Sequence, residues 1–166
     1  MKSGMRALAW LGVKSWVRRS FPSVHMVSSA QLADWLQEKP SLLMIDTRTA
    51  AEYAVSHLPG AYRAETVAAA EAIVAANKVE TQSGEQRPTV LYCSVGYRSG
   101  RLGEALQTAG HRVANLEGSI FQWANEGRSL LSNGQPTQQV HPYNRLWQLL
   151  LASSVSTSDV SSGRSG

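Results

Sequence analysis

The sequence predicts an α/β fold, a single domain with a mainly parallel central sheet and helices on both faces. Three observations predict it. Leu42-Leu-Met-Ile45 and Thr89-Val-Leu-Tyr92 are short apolar runs without alternation, the pattern of strands covered on both sides. Helix signals alternate with those strand signals along the chain, which points to a parallel sheet with crossover helices. A chain of 166 residues supplies one core of ordinary size.

The elements follow in order. Ser28-Ser-Ala-Gln31 is a capping box that opens a helix with Leu32, Trp35 and Leu36 on one face. The Leu42–Ile45 strand ends at Asp46. Thr49-Ala-Ala-Glu52 is a second capping box, in which threonine accepts from the Glu52 amide and the carboxylate bonds back to the Thr49 amide. Glu52 therefore receives a structural role and no catalytic one. His57, before Leu58-Pro-Gly60, is expected as a hydrogen-bonding staple of its loop rather than a general base. The alanine-rich stretch from Glu65 to Lys78 is a helix of high propensity. After the Thr89–Tyr92 strand, a helix runs from Ser99, its N-cap, through Thr108 and stops at Gly110. A third strand near Arg112 to Leu116 precedes the Glu117-Gly118 turn.

Charge is unevenly distributed. The net charge is +4, yet residues 1–27 hold Lys2, Arg6, Lys14, Arg18 and Arg19 without an acid, while residues 28–130 carry nine basic and eleven acidic side chains. A slightly acidic core offers no basic face to nucleic acid. The amino-terminal segment is also apolar, with Trp10, Leu11, Val13, Trp16 and Val17. Lys14 cuts that run too short for a secretory signal or a spanning helix. Two readings stay open, a helix packed on the domain, which is favoured, and an interfacial anchor touching a membrane surface through residues 1–20. At the other end, residues 132–152 carry aromatic and leucine side chains suited to docking. Residues 153–166 are serine-rich and expected to be a disordered tail.

Cys93 is the only cysteine. No internal disulfide or C-x-x-C pair can form, so nothing demands an oxidising compartment and a cytoplasmic location is expected. His25, His57, His111 and His141 lack metal-ligand spacing, and no metal or cofactor is expected. Cys93 stands between the end of a strand and the start of a helix, in Cys93-Ser-Val-Gly-Tyr-Arg98-Ser99. A thiol there meets backbone N–H groups and the positive end of the helix dipole, conditions that favour the thiolate. Gly96 allows the backbone to turn closely around the sulfur. Arg98 adds a fixed positive charge. A buried structural cysteine is the alternative, and the loop chemistry outweighs it.

The loop resembles the active-site loop of rhodanese-domain sulfurtransferases, written C-x-x-G-x-R-S. Met44-Ile-Asp46-Thr-Arg48, Glu52-Tyr53 and Ser56-His-Leu-Pro-Gly-Ala61 resemble that family's upstream signature. Leu116-Glu-Gly-Ser-Ile-Phe-Gln-Trp123 resembles its downstream one. Ser56 and Ser119 stand where the family has glycines. The three motifs lie in order within residues 28–131, beyond the basic segment, which is therefore expected to be dispensable for the chemistry.

The resemblance implies that the Cys93 thiolate takes the outer sulfur of a donor such as thiosulfate or a persulfide. The resulting Cys93 persulfide would pass sulfur to cyanide or an external thiol, since no second cysteine is present to resolve it. Arg98 is expected to help bind the anionic donor. Ser94, Val95, Gly96, Tyr97 and Ser99 contribute to the substrate-binding loop, and Asp46 and Arg48 support it. For Asp46, a buried carboxylate bonded to loop amides and direct participation are equally open. Two rival functions are weaker. A cysteine phosphatase or arsenate reductase places five residues between cysteine and arginine, where four stand here. A non-enzymatic rhodanese-like module that binds a partner or carries sulfur within a pathway is permitted by fold alone, and the presence of Cys93, Gly96 and Arg98 together argues for chemistry instead.

Overall fold

The structure, a computed structural model, describes residues 3–38, 42–77 and 89–157. Five strands are formed by His25–Val27 (β1), Met44–Asp46 (β2), Tyr62–Arg63 (β3), Thr89–Tyr92 (β4) and Val113–Leu116 (β5). They lie parallel in the order β1-β5-β4-β2-β3. The helices are Ser3–Ser20 (α1), Ser29–Glu38 (α2), Ala50–Val55 (α3), Val67–Ala76 (α4), Tyr97–Thr108 (α5) and Ser119–Asn125 (α6). A hairpin of Leu130–Ser132 (β6) and Gln135–Thr137 (β7) follows. Its turn residues Asn133 and Gly134 both have positive φ, as tight hairpins favour.

Side-chain alternation along β4 shows that both sheet faces are covered. Val90 and Tyr92 join a core with Leu32 of α2 and Phe121 and Ala124 of α6. Leu91, between them, joins Ala70 and Val74 of α4 and Leu102 and Leu106 of α5 on the opposite face. Continuous apolar sequence is what this double burial requires.

The caps behave largely as their sequences predict. At α3 both arms of the capping box form: the Glu52 amide donates to Thr49 Oγ1 and the Thr49 amide to Glu52 Oε2. The Gln31 amide donates to Ser28 Oγ at 3.1 Å. Thr66 caps α4 within the predicted stretch, whose last residue, Lys78, lies outside the described residues. The start of α5 is a correction. The helix begins at Tyr97, its N-cap is Gly96 with φ +109°, and Ser99 sits buried in the first turn. A left-handed backbone at Gly96 turns the chain into the helix sooner than a serine cap would.

The basic amino-terminal segment is a helix docked on the domain. Trp10 Nε1 donates to the Leu150 carbonyl at 3.2 Å. Val17 and Phe21 are buried with Val24, and Lys14 and Arg18 reach Glu117 at 3.6 and 2.6 Å. Helix α5 presents Gly100 to Phe21, where an added Cβ would stand 2.4 Å from the ring. None of the described helices is long and apolar enough to cross a membrane. At the other end a 3-10 turn at Trp147–Leu150 leads to Leu150, Leu151 and Val155, all buried in the first core. Order extends past Ser153: the Val140 amide donates to the Val155 carbonyl, and Val140 pairs with Ser156. Residues 158–166 lie outside the described residues.

Candidate active site

Cys93 follows β4, the central strand, so its loop opens at the carboxyl edge of the sheet, where α/β folds place ligands. The Gly96 amide donates to Cys93 Sγ at 3.1 Å. Gly96 is required for its backbone rather than for space, since a Cβ there would make only ordinary contacts with Val17 and Asn115. Asn115 holds the turn from below: its Nδ2 donates to the Gly96 carbonyl at 2.8 Å, and its Oδ1 accepts from the Ser99 hydroxyl at 2.7 Å.

Burial disfavours the Cys93 thiolate. The Arg98 charge and hydrogen bonds from Ser99 and the Gly96 amide outweigh it, and the thiol pKa is lowered. The Ser99 hydroxyl has one proton, with Asn115 its close acceptor. The Arg98 charge and the two loop amides therefore carry most of that effect.

Arg98 is also tied into the frame of the site. Both arms of its guanidinium are taken by Glu52, with Nη1 to Oε2 at 2.9 Å and Nη2 to Oε1 at 2.7 Å. Nη2 also donates to Ser94 Oγ at 2.9 Å, and that hydroxyl donates onward to Glu52. Burial opposes the Glu52 carboxylate, but the Arg98 fork and the Thr49 bonds hold its pKa down to about 2. Glu52 thus links α3 to the loop through a charge-assisted fork. The capping box accounted for Glu52 so fully that its second role was hidden.

Asp46 and Arg48 form a closed, fully buried pair. Arg48 Nε and Nη2 donate to Asp46 at 2.9 and 2.6 Å, and the Arg48 amide donates to the same carboxylate. Strand register sets Asp46 beside Tyr92, so the pair braces the strand end one residue before the thiol. Of the two readings open for Asp46, the geometry matches a carboxylate bonded to loop groups. His57 bonds the Tyr53 carbonyl through Nδ1, stacks on the Tyr53 ring and exchanges backbone bonds with Leu131.

A cavity of about 150 Å³ opens over Cys93, with Ser94, Val95, Tyr97 and Arg98 in its wall. Trp16, Tyr143 and Trp147 complete it. None of these three lies in the signature segments. Trp16 stacks on Tyr97 at 4.5 Å, and the Tyr143 ring covers the Arg98 guanidinium at 4.7 Å. Tyr143 takes a left-handed φ of +65°, a strained backbone of the kind that gathers at functional sites. Trp16 of α1 thus lines the site from within the amino-terminal segment expected to be dispensable for the chemistry.

The chain matches the family model described as Rhodanese-like domain over residues 28–126. It belongs to that family. It is 29% identical over 101 residues to the probable adenylyltransferase/sulfurtransferase MoeZ of Mycobacterium tuberculosis, covering 60% of this chain and 24% of that protein. The chain thus spans about a quarter of that relative's length. A sulfurtransferase of Allochromatium vinosum is 29% identical over 113 residues, 66% of this chain and 96% of the relative. The crystal structure of a thiosulfate sulfurtransferase from Pseudomonas aeruginosa superposes with a TM-score of 0.56 at 21% identity, over 74% of this chain and 22% of that one. That likeness is one of fold. The matched segment holds β2 to β5, with β1 just before it at His25–Val27, and α1 and the carboxyl-terminal extension build outward to the cavity.

Proposed function

We propose that the protein is a sulfurtransferase that carries sulfane sulfur on Cys93. The observation that supports this most is the setting of the sulfur: Cys93 Sγ lies under an open cavity, hydrogen-bonded by the Gly96 amide, with its thiolate favoured by Arg98. In the first half-reaction the thiolate attacks the outer sulfur of a donor such as thiosulfate. A new sulfur–sulfur bond forms, the donor's own sulfur–sulfur bond breaks, and sulfite leaves with the electron pair. The terminal sulfur of the persulfide is an anion, and the loop amides are placed to stabilise it as donors in an oxyanion hole stabilise oxygen. In the second half-reaction cyanide or an external thiolate takes that sulfur and the Cys93 thiolate returns. Four residues between Cys93 and Arg98 make a small cradle, better matched to one sulfur than to a tetrahedral oxyanion, which ranks phosphatase chemistry lower.

A cytoplasmic location is part of this proposal, since a lone thiol that must stay reduced to react suits a reducing compartment. Mass spectrometry of the intact protein after thiosulfate treatment tests the reading. One added sulfur, mapped to Cys93 and removed by cyanide, is the expected result.

A further inference from the structure

A groove of about 420 Å³ runs between α1 and α6, and it shares no lining residue with the Cys93 cavity. Arg6, Trp10, Leu11 and Lys14 of α1 form one wall, and Gln122 and Asn125 of α6 form the other. That volume lies in the range of small-molecule sites, about 300–1,000 Å³.

The neutral donors of the groove are already spent. Asn125 Nδ2 and Trp10 Nε1 both donate to the Leu150 carbonyl, and Gln122 Nε2 donates to Glu126. What is left over is positive charge. Helix α1 holds no acidic residue and α6 no charged one. Just before α6, Glu117 is shared by Arg18 at 2.6 Å and Lys14 at 3.6 Å. Just after it, Glu126 is held by Arg128 at 2.6 Å. Arg6 is half-buried and has no carboxylate partner among the described residues. Arg6, Lys14 and Arg18 thus have Glu117 alone to balance them, a surplus of two charges. Arg6, Trp10 and Lys14 follow one another at i, i+4 and i+8 on one helix face, so the indole lies between the two cations.

We propose that this groove binds a small phosphate monoester with a flat aromatic body, its ring against the Trp10 indole and its phosphate between Arg6 and Lys14. A phosphate dianion balances the surplus charge. Guanidinium and ammonium both hold phosphate, the guanidinium through paired N–H donors. The ring covers the apolar surface of Trp10 and Leu11 and asks for no neutral donor. This site goes beyond the sulfur-transfer reading and stands without it.

Isothermal titration calorimetry on the full chain with phenyl phosphate, inorganic phosphate and benzyl alcohol separates ring from charge. Phenyl phosphate is expected to bind at least about tenfold more tightly than either of the others. Arg6→Gln should weaken it by about tenfold. Leu11→Glu places an acid at an exposed position of the rim and should weaken it at least as much. Alkylation of Cys93, which fills the other cavity, should leave the affinity unchanged. The proposal is overturned if phenyl phosphate does not bind, or binds no better than inorganic phosphate. It is equally overturned if both substitutions leave the affinity unchanged, or if alkylation of Cys93 abolishes binding. Phosphatidic acid vesicles present the same phosphate monoester on a lipid. Vesicle binding that requires Arg6, with no binding of phenyl phosphate, would assign the charge to a membrane surface and overturn the small-molecule site.

Discussion

The Cys93 amide donates to the Ser119 hydroxyl at 3.1 Å, and that hydroxyl donates to the Leu116 carbonyl at 3.0 Å. The nucleophile's own N–H is therefore spent on the turn after β5 rather than offered to substrate. Ser119 stands at the position of a glycine in the signature that this segment resembles, and it keeps the left-handed backbone, with φ +49°. It carries the strain that glycine would avoid and contributes a bond that glycine cannot.

Ser119→Ala should keep the strain and leave the buried Cys93 amide unpaired, for a loss of about 1–3 kcal/mol. Ser119→Gly leaves the same amide unpaired but relieves the backbone, and should recover about 1 kcal/mol of that loss. Chemical denaturation of the three proteins checks the order. A glycine variant less stable than the alanine variant would contradict the strain argument.

Glu52 connects stability to acid. Its folded pKa is about 2, below the ordinary 4.5, so the stabilisation is complete above about 4.5 and fades as pH falls toward 2. Glu52→Gln keeps the side-chain shape but loses the charge that Arg98 grips. Its Tm deficit should be full near neutral pH and should shrink steadily between about pH 4.5 and 2. A deficit of equal size at pH 6 and pH 3 would show that the carboxylate charge contributes nothing to the loop.

Arg98 favours the Cys93 thiolate, so its removal should raise the thiol pKa. The pH dependence of Cys93 alkylation reads this directly, with the midpoint for Arg98→Gln displaced upward. Arg98→Lys keeps a charge but cannot grip both Glu52 oxygens and Ser94 at once. Its midpoint should move less, while kcat/KM still falls. An Arg98→Gln midpoint unchanged from the unsubstituted protein would remove Arg98 from thiol activation.

Much of this site was legible because its parts are local in sequence. The unalternated runs located β2 and β4, Thr49 and Glu52 announced α3, and Cys93 through Ser99 announced a reactive loop. What could not be read joins distant segments. Asn115 looks like one polar residue in a strand, yet it ties Gly96 to Ser99 across the core. Glu52 had its local bonds to explain it, so its fork to Arg98, 46 positions away, left no trace in spacing. Trp16 and Trp147 carry no motif at all, and only the docking of both extensions brings them over the thiol. The Asn133-Gly134 hairpin was legible and overlooked, a dipeptide that marks tight turns.

The last prediction concerns α1. Its exposed side carries Met5, Leu8 and Leu11 beside basic residues, a surface that a bilayer could take. Its tryptophans, which an interfacial helix would turn to the lipid headgroups, are used in the fold instead: Trp10 bonds the Leu150 carbonyl and Trp16 stacks on Tyr97. Lys14 and Arg18, which would seek anionic lipid, are paired with Glu117. Deleting residues 1–22 should therefore lower Tm by at least about 5 °C, because Val17 and Phe21 leave the core. It should also weaken sulfur transfer, because the Trp16 wall leaves with them. Full-length protein should bind anionic vesicles only weakly. Salt-sensitive vesicle binding that vanishes on truncation, with Tm and transfer rate both unchanged, would show α1 to be an interfacial anchor and its docked contacts to be of no consequence.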